Sequence, residues 1–295
     1  MINKTLRPSP TYPVYPPYHT GLYLEEHFFD FYQRNLERFH KLERSYIPIF
    51  WTNIYLNAGT NLGSAAYQLQ DILNEELIPD KKYFTLIQHD DGPMNILPPN
   101  TVIFSAGGNK QGPGFNPFPL ICGSIPEQEK KEKEFLASFV GSTTHPIRDK
   151  MINALKDKSD VYLSTKGWDN EMAKENVQDF IDASLKSKFV LCPRGWGLSS
   201  FRLYEAMQLD AVPVYISDNF WTPFTYELNW NDFCVVITEE QIPNIHSILE
   251  SITDEKYERM KRKIVEVYEN YFTLEGSCNK ILEMLELIEK VEKSI

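Results

Sequence analysis

Short apolar, β-branched runs alternate with longer amphipathic runs along most of this chain. That alternation restricts the fold more than any other feature. A strand buried on both faces reads as a continuous apolar stretch, while a helix lying on a sheet repeats its apolar residues every three or four positions. Strands joined through helices pair in parallel, so the pattern predicts an α/β protein with mainly parallel sheets. In the first half, 21–41 reads as a helix and 47–56 ("IPIFWTNIYL") as a strand. Residues 64–77 read as a helix with Ala66, Leu69, Ile72, Leu73 and Leu77 at helical spacing. Short strands follow at 83–88, 101–107 and 118–124. The most polar stretch, "PEQEKKEKE" at 126–134, reads as a domain boundary, its other reading being the solvated start of a helix.

Beyond that stretch the alternation resumes. Strands "FLASFVGS", "VYLST" and "KFVLCP" are separated by helices "IRDKMINALKD" and "EMAKENVQDFIDASLK", and strands "VPVYIS" and "FCVVIT" come after. Helical runs at 242–252, 254–272 and 277–295 close the chain. The expected organisation is a first Rossmann-like domain over 1–130, opening with a Pro- and Tyr-rich arm, and a second over 131–276. The terminal helix, 277–295, carries Ile281, Leu282, Leu285, Ile288 and Val291 on one stripe. It is expected to cross back to the first domain, with a dimer contact as the rival reading.

Charge narrows the function classes. The net charge of −11 argues against a broad nucleic-acid or anionic-membrane surface, which needs clustered cations. No run approaches the roughly 18–20 apolar residues of a membrane span. The N-terminus has no apolar core of a signal peptide. The four cysteines, Cys122, Cys192, Cys234 and Cys278, show no C-x-x-C spacing, so zinc and redox motifs are unsupported. Buried reduced thiols in a reducing, cytosolic compartment are the expectation.

The stretch "KFVLCPRGWGLSSFRLYEAMQ" concentrates the functional signal. An apolar strand is broken by Pro193, Gly195 and Gly197, and a helix begins at Ser199 or Ser200, both good N-caps. A loop from the C-terminal end of a parallel strand into a helix N-terminus suits a phosphate, because backbone N–H groups and the helix dipole point there. On the helix, Leu203, Ala206 and Met207 form the apolar stripe. Arg202 lies in the first turn, beside the phosphate position. Glu205 lies roughly 4–5 Å further along the axis, where a carboxylate can accept two hydrogen bonds from a ribose diol. A phosphate site with a diol site behind it describes a nucleotide. The plain alternative is an ordinary helix with a surface Arg–Glu pair.

From Ser187 to Ile237 the chain resembles the exostosin-type glycosyltransferases. It carries their C-P-R-G-x-G-x-S-S-x-R-L-x-E-A, P-V and S-D-x-x-x-x-P-F elements, and weaker matches reach "FVGSTTHPIRDKM" and "QHDDG". The resemblance implies a GT-B fold, two Rossmann-like domains facing an interdomain cleft, with the nucleotide-sugar on the C-terminal one. It implies inversion at the anomeric carbon, Arg202 on the diphosphate, Glu205 on the ribose, and Arg148 as a diphosphate-facing arginine. Within the family, the chain looks most like the compact, anchorless enzymes with which large DNA viruses glycosylate capsid proteins. That implies a UDP-sugar donor, xylose as the first guess, an oligosaccharide or glycoprotein acceptor, and host cytoplasm as the compartment.

An inverting transferase needs a carboxylate to take the acceptor proton. "QHDDGP" puts His89, Asp90 and Asp91 at a strand end; Asp91 is preferred as base because Asp90 is placed to brace the loop. Strong turn chemistry is the alternative reading of these residues. No Asp-x-Asp pattern stands at a strand end, so no metal cofactor is expected, and Arg194, Arg202 and Arg148 are available for the leaving diphosphate. His145 reads as a loop histidine. Gly59 in "NAGTNLGS", Asp218 and Trp221 in "SDNFWTPF", and His89 are the remaining candidates for sugar or acceptor contact. The alternatives kept are a non-catalytic nucleotide-sugar or glycan-binding module and a metal-dependent transferase.

Overall fold

The computed structural model describes residues 23–58, 61–121, 123–167 and 174–294; the Pro- and Tyr-rich arm, Gly59 and Cys122 lie outside them. The described chain starts with helix α1 (Leu24–Arg34) and the single turn α2 (Leu36–Phe39). Strand β1 (Ser45–Tyr46), helices α3 (Trp51–Ala58) and α4 (Leu62–Glu76), and strands β2 (Tyr83–Ile87), β3 (Thr101–Ser105) and β4 (Phe115–Pro117) follow. The strands pair in parallel in the order β1-β2-β3-β4.

Side chains alternate across β2, and each face finds its own helices. Phe84 stacks on Phe39 and Tyr46, with Phe28 of α1 edge-on. Tyr83 and Ile87 point the other way and pack with Trp51 and Tyr55 of α3 and Leu69 and Leu73 of α4. Thr85 shares that second face, where its hydroxyl accepts from Trp51 Nε1 (2.9 Å) and donates to the Ile47 carbonyl (3.1 Å). A sheet buried on both faces is what the continuous apolar runs required.

Two readings of the first half are corrected. The run 47–56 is not a strand: β1 has ended before it, and α3 begins at Trp51. Pro48 has no N–H for the ladder, and Trp51, Thr52 and Tyr55 bury on one side of a helix. The strand expected at 118–124 is instead β4, Phe115–Pro117. Pro117 and Pro119 end the pairing, and Phe118, Leu120 and Ile121 are buried in irregular chain.

The C-terminal helix, Leu274–Glu292, belongs to this same unit. Ile281, Leu282 and Leu285 are its buried stripe. The Glu289 carboxylate accepts from the Glu43 and Arg44 N–H groups at 2.8 and 3.0 Å, and Glu292 pairs with Arg44 and Lys82.

The second unit spans Pro119–Thr273. Its elements are β5 (Phe135–Gly141), α5 (Pro146–Leu155), β6 (Val161–Thr165), α6 (Lys174–Leu185), β7 (Ser187–Pro193), α7 (Phe201–Gln208), β8 (Val212–Ser217), β9 (Val235–Thr238), α8 (Ile245–Glu250) and α9 (Asp254–Tyr271). The five strands are parallel in the order β6-β5-β7-β8-β9, so β7 is central. Each of the two units is thus an α/β unit with its own parallel sheet, as a Rossmann-like domain has. Cys192, Cys234 and Cys278 are free and buried, and burial pushes all three thiols up. No helix among the described residues is long and apolar enough to cross a membrane.

Candidate functional site

In the second unit, β7 runs out at Pro193 and the chain crosses to α7 through residues 194–200. The Arg194 N–H still donates to the Ile216 carbonyl (2.9 Å), so the loop leaves the sheet at its C-terminal edge, beside β8. Ser200 is the cap residue: its backbone is extended and its hydroxyl accepts from the Arg202 N–H (3.3 Å). Ser199 beside it is buried.

The carbonyls of this loop are held from behind. Arg148 donates to the Pro193 and Arg194 carbonyls (3.3 and 2.9 Å) and to Ser142 (2.8 Å). Arg194 donates to the Gly195 and Trp196 carbonyls (3.3 and 2.8 Å) and pairs with Asp218 (2.7 Å). Tyr215 donates to the Leu198 carbonyl (2.7 Å). A trans peptide sets its N–H opposite its C=O. The N–H edges of Gly195, Trp196 and Gly197 therefore face away from the carbonyl edges that the two guanidinium groups hold. A Cβ on Gly195 would meet Arg148 Nη2 at 3.3 Å, so the missing side chain makes room for this brace.

These contacts give Arg148, Arg194 and Asp218 a definite place. In this structure the two arginines shape the loop, and Asp218 anchors one of them. Burial pushes the Asp218 carboxyl up, but the Arg194 hydrogen bond and charge outweigh it and hold it below the usual carboxylate range. His145 caps α5, its Nδ1 accepting from the Ile147 N–H (3.3 Å), which sets the first turn that carries Arg148.

Arg202, in the first turn of α7, pairs with Glu205 three residues on, but not at the surface. The Glu205 side chain is 1% exposed and that of Arg202 18%. The Arg202 guanidinium lies 4.0 Å from the centre of the Phe180 ring, and its Nε donates to the Val140 carbonyl (3.3 Å). An ordinary surface pair of this spacing is worth a few tenths of a kcal/mol; a buried one carries a desolvation cost that function has to justify.

In the first unit, β2 ends at Ile87 and residues 89–92 form a turn closed by the Gly92 N–H to the His89 carbonyl (3.1 Å). Gly92 has φ +67°, the left-handed region where glycine is at ease. The turn chemistry in "DDGP" is therefore real, and it fixes the backbone that carries both aspartates. Asp91 accepts from Asn109 Nδ2 (2.9 Å), and the Asp90 carbonyl accepts from the Asn109 N–H (3.0 Å). The Asp91 N–H donates to His89 Nδ1 (3.3 Å), and Tyr55 meets the imidazole edge-on at 5.4 Å. Burial pushes the His89 imidazole down, with the Asp91 charge opposing in part. The loop after β3 backs this turn so closely that a Cβ on Gly107 would lie 2.1 Å from Asp90 Cα.

Sequence reasoning missed three supports here. Gly107 and Asn109 come from a separate strand end. Glu25 of α1 is fully buried below the turn, accepting from the Gln88 N–H (3.2 Å), the Thr52 N–H (3.0 Å) and the Thr52 hydroxyl (2.6 Å). Burial raises its carboxyl against the lowering effect of those hydrogen bonds. The doubled glycine in "SAGGN" was the one local signal.

The candidates thus fall into two sets, His89, Asp90 and Asp91 in one unit and Arg148, Arg194, Gly195, Ser199, Ser200, Arg202, Glu205 and Asp218 in the other. Gly59 lies outside the described residues. Trp221 is 7% exposed, so packing accounts for most of its ring, whereas Trp196 is 65% exposed. Among the described residues the one trio spaced for a metal ion is Asp160, His246 and Glu250. Asp160 precedes β6, at the N-terminal edge of the sheet and opposite to the loop after β7.

Comparison with known proteins bears on this geometry. The family model of the Exostosin GT47 domain matches residues 111–252, which include the loop and α7. A probable glycosyltransferase of Arabidopsis thaliana is 30% identical over 201 residues, 62% of this chain and 41% of that protein. Exostosin-1 of Bos taurus is 31% identical over 172 residues, 54% of this chain and 22% of its own. The match thus takes in less than half the length of either relative. Among solved structures, the GtfA/B complex aligns at 12% identity and TM-score 0.41 over 77% of this chain and 56% of that one.

Proposed function

We propose that this chain is an inverting glycosyltransferase that moves a sugar from a UDP-sugar to a glycan hydroxyl. The carrying observation is the α7 N-terminus: a capped helix start, a loop with its carbonyls tied back, and the Arg202–Glu205 pair that runs inward from the first turn. The Exostosin GT47 match over the same residues, and relatives named as glycosyltransferases, support the reading. The diphosphate takes the loop N–H groups and the Arg202 guanidinium; the ribose diol takes Glu205. Asp91 is the base, with Asp90 as the neighbouring alternate. It accepts the acceptor hydroxyl proton as that oxygen bonds to the anomeric carbon and the bond to the diphosphate breaks. UDP leaves with its new charge held by Arg202 and the helix N–H groups. Xylose is the first sugar to test, and the acceptor is an oligosaccharide or glycoprotein. The arginines supply the counter-charge, so the reading needs no metal.

Two measurements test it. Calorimetry with UDP should show that Arg202→Lys and Glu205→Gln each weaken binding by about 1–3 kcal/mol, the scale of hydrogen bonds to charged groups. Both keep side-chain volume, since truncating a buried pair to alanine risks the fold. Unchanged affinity in both sinks the donor site. Transfer from UDP-xylose, or from another UDP-sugar that proves active, should persist in excess EDTA. Loss on chelation with recovery in manganese would install a metal-dependent mechanism instead.

A further inference from the structure

Residues 191–200 are buried one after another, save for half-buried Gly195 and Trp196, which is 65% exposed. Burying an indole is among the largest gains open to any side chain, and this loop forgoes it. Slackness in the loop does not explain the exposure. The Trp196 carbonyl is held by Arg194 Nη2 at 2.8 Å, the Gly195 carbonyl by Arg194 Nε at 3.3 Å, and Arg194 itself is buried and paired with Asp218. A rigid, buried segment thus carries one large aromatic ring outward, between two glycines that add no side chain beside it.

We infer that Trp196 is a specificity-determining residue whose indole face stacks on a pyranose ring. The inference rests on the donor reading of α7. Along the chain, Glu205 lies inside the helix and Trp196 before its cap, with the phosphate position at the helix N-terminus between them. A nucleotide sugar runs base, ribose, diphosphate, sugar. With the ribose at Glu205, Trp196 stands at the sugar end of the diphosphate, where the transferred pyranose and the acceptor pyranose both arrive. A pyranose presents a patch of C–H groups on one ring face and hydroxyls around its rim, so an aromatic plane binds the face and leaves the rim to polar partners.

The test compares wild type, Trp196→Phe and Trp196→Ala by calorimetry. One arm titrates UDP and then UDP-xylose, UDP-glucose and UDP-glucuronate; the other titrates methyl β-xyloside and methyl β-glucoside into the UDP complex. Expected is a loss of about 10-fold or more in Trp196→Ala for a UDP-sugar or for a glycoside, the scale of an aromatic anchor. Trp196→Phe should keep most of that affinity, and plain UDP should bind all three proteins alike. The arm that loses affinity tells donor sugar from acceptor sugar. Measured in a Trp168→Phe background, ligand-dependent quenching of tryptophan fluorescence should vanish on Trp196→Phe, since Trp51, Trp221 and Trp230 are buried. Equal affinities throughout, or a loss for plain UDP as large as for UDP-sugars, overturns the inference while leaving the donor site standing. No binding of UDP by wild type removes the donor site and the inference together.

Discussion

Two loops leave the C-terminal edges of two parallel sheets, one in each unit, and they are built on different principles. The loop after β7 is braced by side chains reaching in from α5 and β8 and by Arg194 within the loop itself, which hold its carbonyls inward. The loop after β2 is braced by backbone contact, with Asp90 pressed against Gly107 and Asn109 bonding both aspartates. The first arrangement turns peptide N–H groups outward, which suits an anion. The second keeps two carboxylates half-exposed, which suits a proton acceptor. The same position in the same kind of sheet thus yields opposite electrostatics, according to which groups are tied back.

The sharpest way to break this contrast is to neutralise one carboxylate. Asp91→Asn should lower turnover about 10²–10⁴-fold, the usual contribution of a general base, while UDP affinity stays as in wild type. Asn keeps the shape of the side chain that meets Asn109, so the turn should survive. Asp90→Asn is the control. A larger loss there moves the base by one residue, and normal turnover in both removes the proton-acceptor role from this loop.

The two loops were also unequally legible in the sequence. The cap at Ser200 and the packing of Leu203, Ala206 and Met207 are short-range features, and spacing found them. The burial of Arg202 and Glu205 depends on Phe180 and Val140, brought in from other elements, so spacing left open a surface pair. The turn at 89–92 was readable from Asp-Asp-Gly-Pro, but its bracing by Gly107, Asn109 and Glu25 arises only when β2, β3 and α1 come together. Trp221 was left open between sugar contact and packing for a related reason. Trp221 and Trp196 both follow strands, and only tertiary packing decides that one is buried and the other projects. Proline explains the two misread strands, because an apolar run shows periodicity but not which N–H groups the ladder has lost.

The glycines offer a second, smaller test. A methyl at Gly107 would meet backbone, 2.1 Å from Asp90 Cα and 2.7 Å from the Asp90 carbonyl oxygen. A methyl at Gly195 would meet side chains alone, the end of Arg148 at 3.3 Å and the Thr144 hydroxyl at 3.9 Å. Backbone cannot swing aside as a guanidinium can. Gly107→Ala should therefore cost about 1–3 kcal/mol or more in chemical denaturation, as overpacking does. It should also reduce turnover through displaced Asp90 and Asp91. Gly195→Ala should cost less stability and show its effect in UDP affinity instead. Equal destabilisation by the two would mean that both loops are held in the same way.

The smallest effect expected is one of pH, and it again separates the loops. Guanidinium groups stay charged throughout the accessible range and the Asp218 carboxyl is held below the usual carboxylate range, so the arginine brace after β7 does not titrate between pH 6.5 and 5. The brace after β2 includes His89, whose Nδ1 accepts the Asp91 N–H and is able to do so only when unprotonated. Burial holds its folded pKa below that of an unfolded histidine, about 6.5. As pH falls below that value the unfolded chain takes up the proton first. Stability contributed by neutral His89 is therefore present above about 6.5 and lost as pH falls toward the lower folded value. His89→Asn keeps an acceptor near the Asp91 N–H and removes the titration. His27 and His145 are shifted in the same direction, so the quantity to read is the difference between wild type and variant. The thermal midpoint of wild type should fall more steeply than that of His89→Asn between pH 6.5 and 5, by no more than about 2–4 °C. Parallel curves would show that the turn holds without the imidazole acceptor, leaving Asn109 and the Gly107 contact as its bracing.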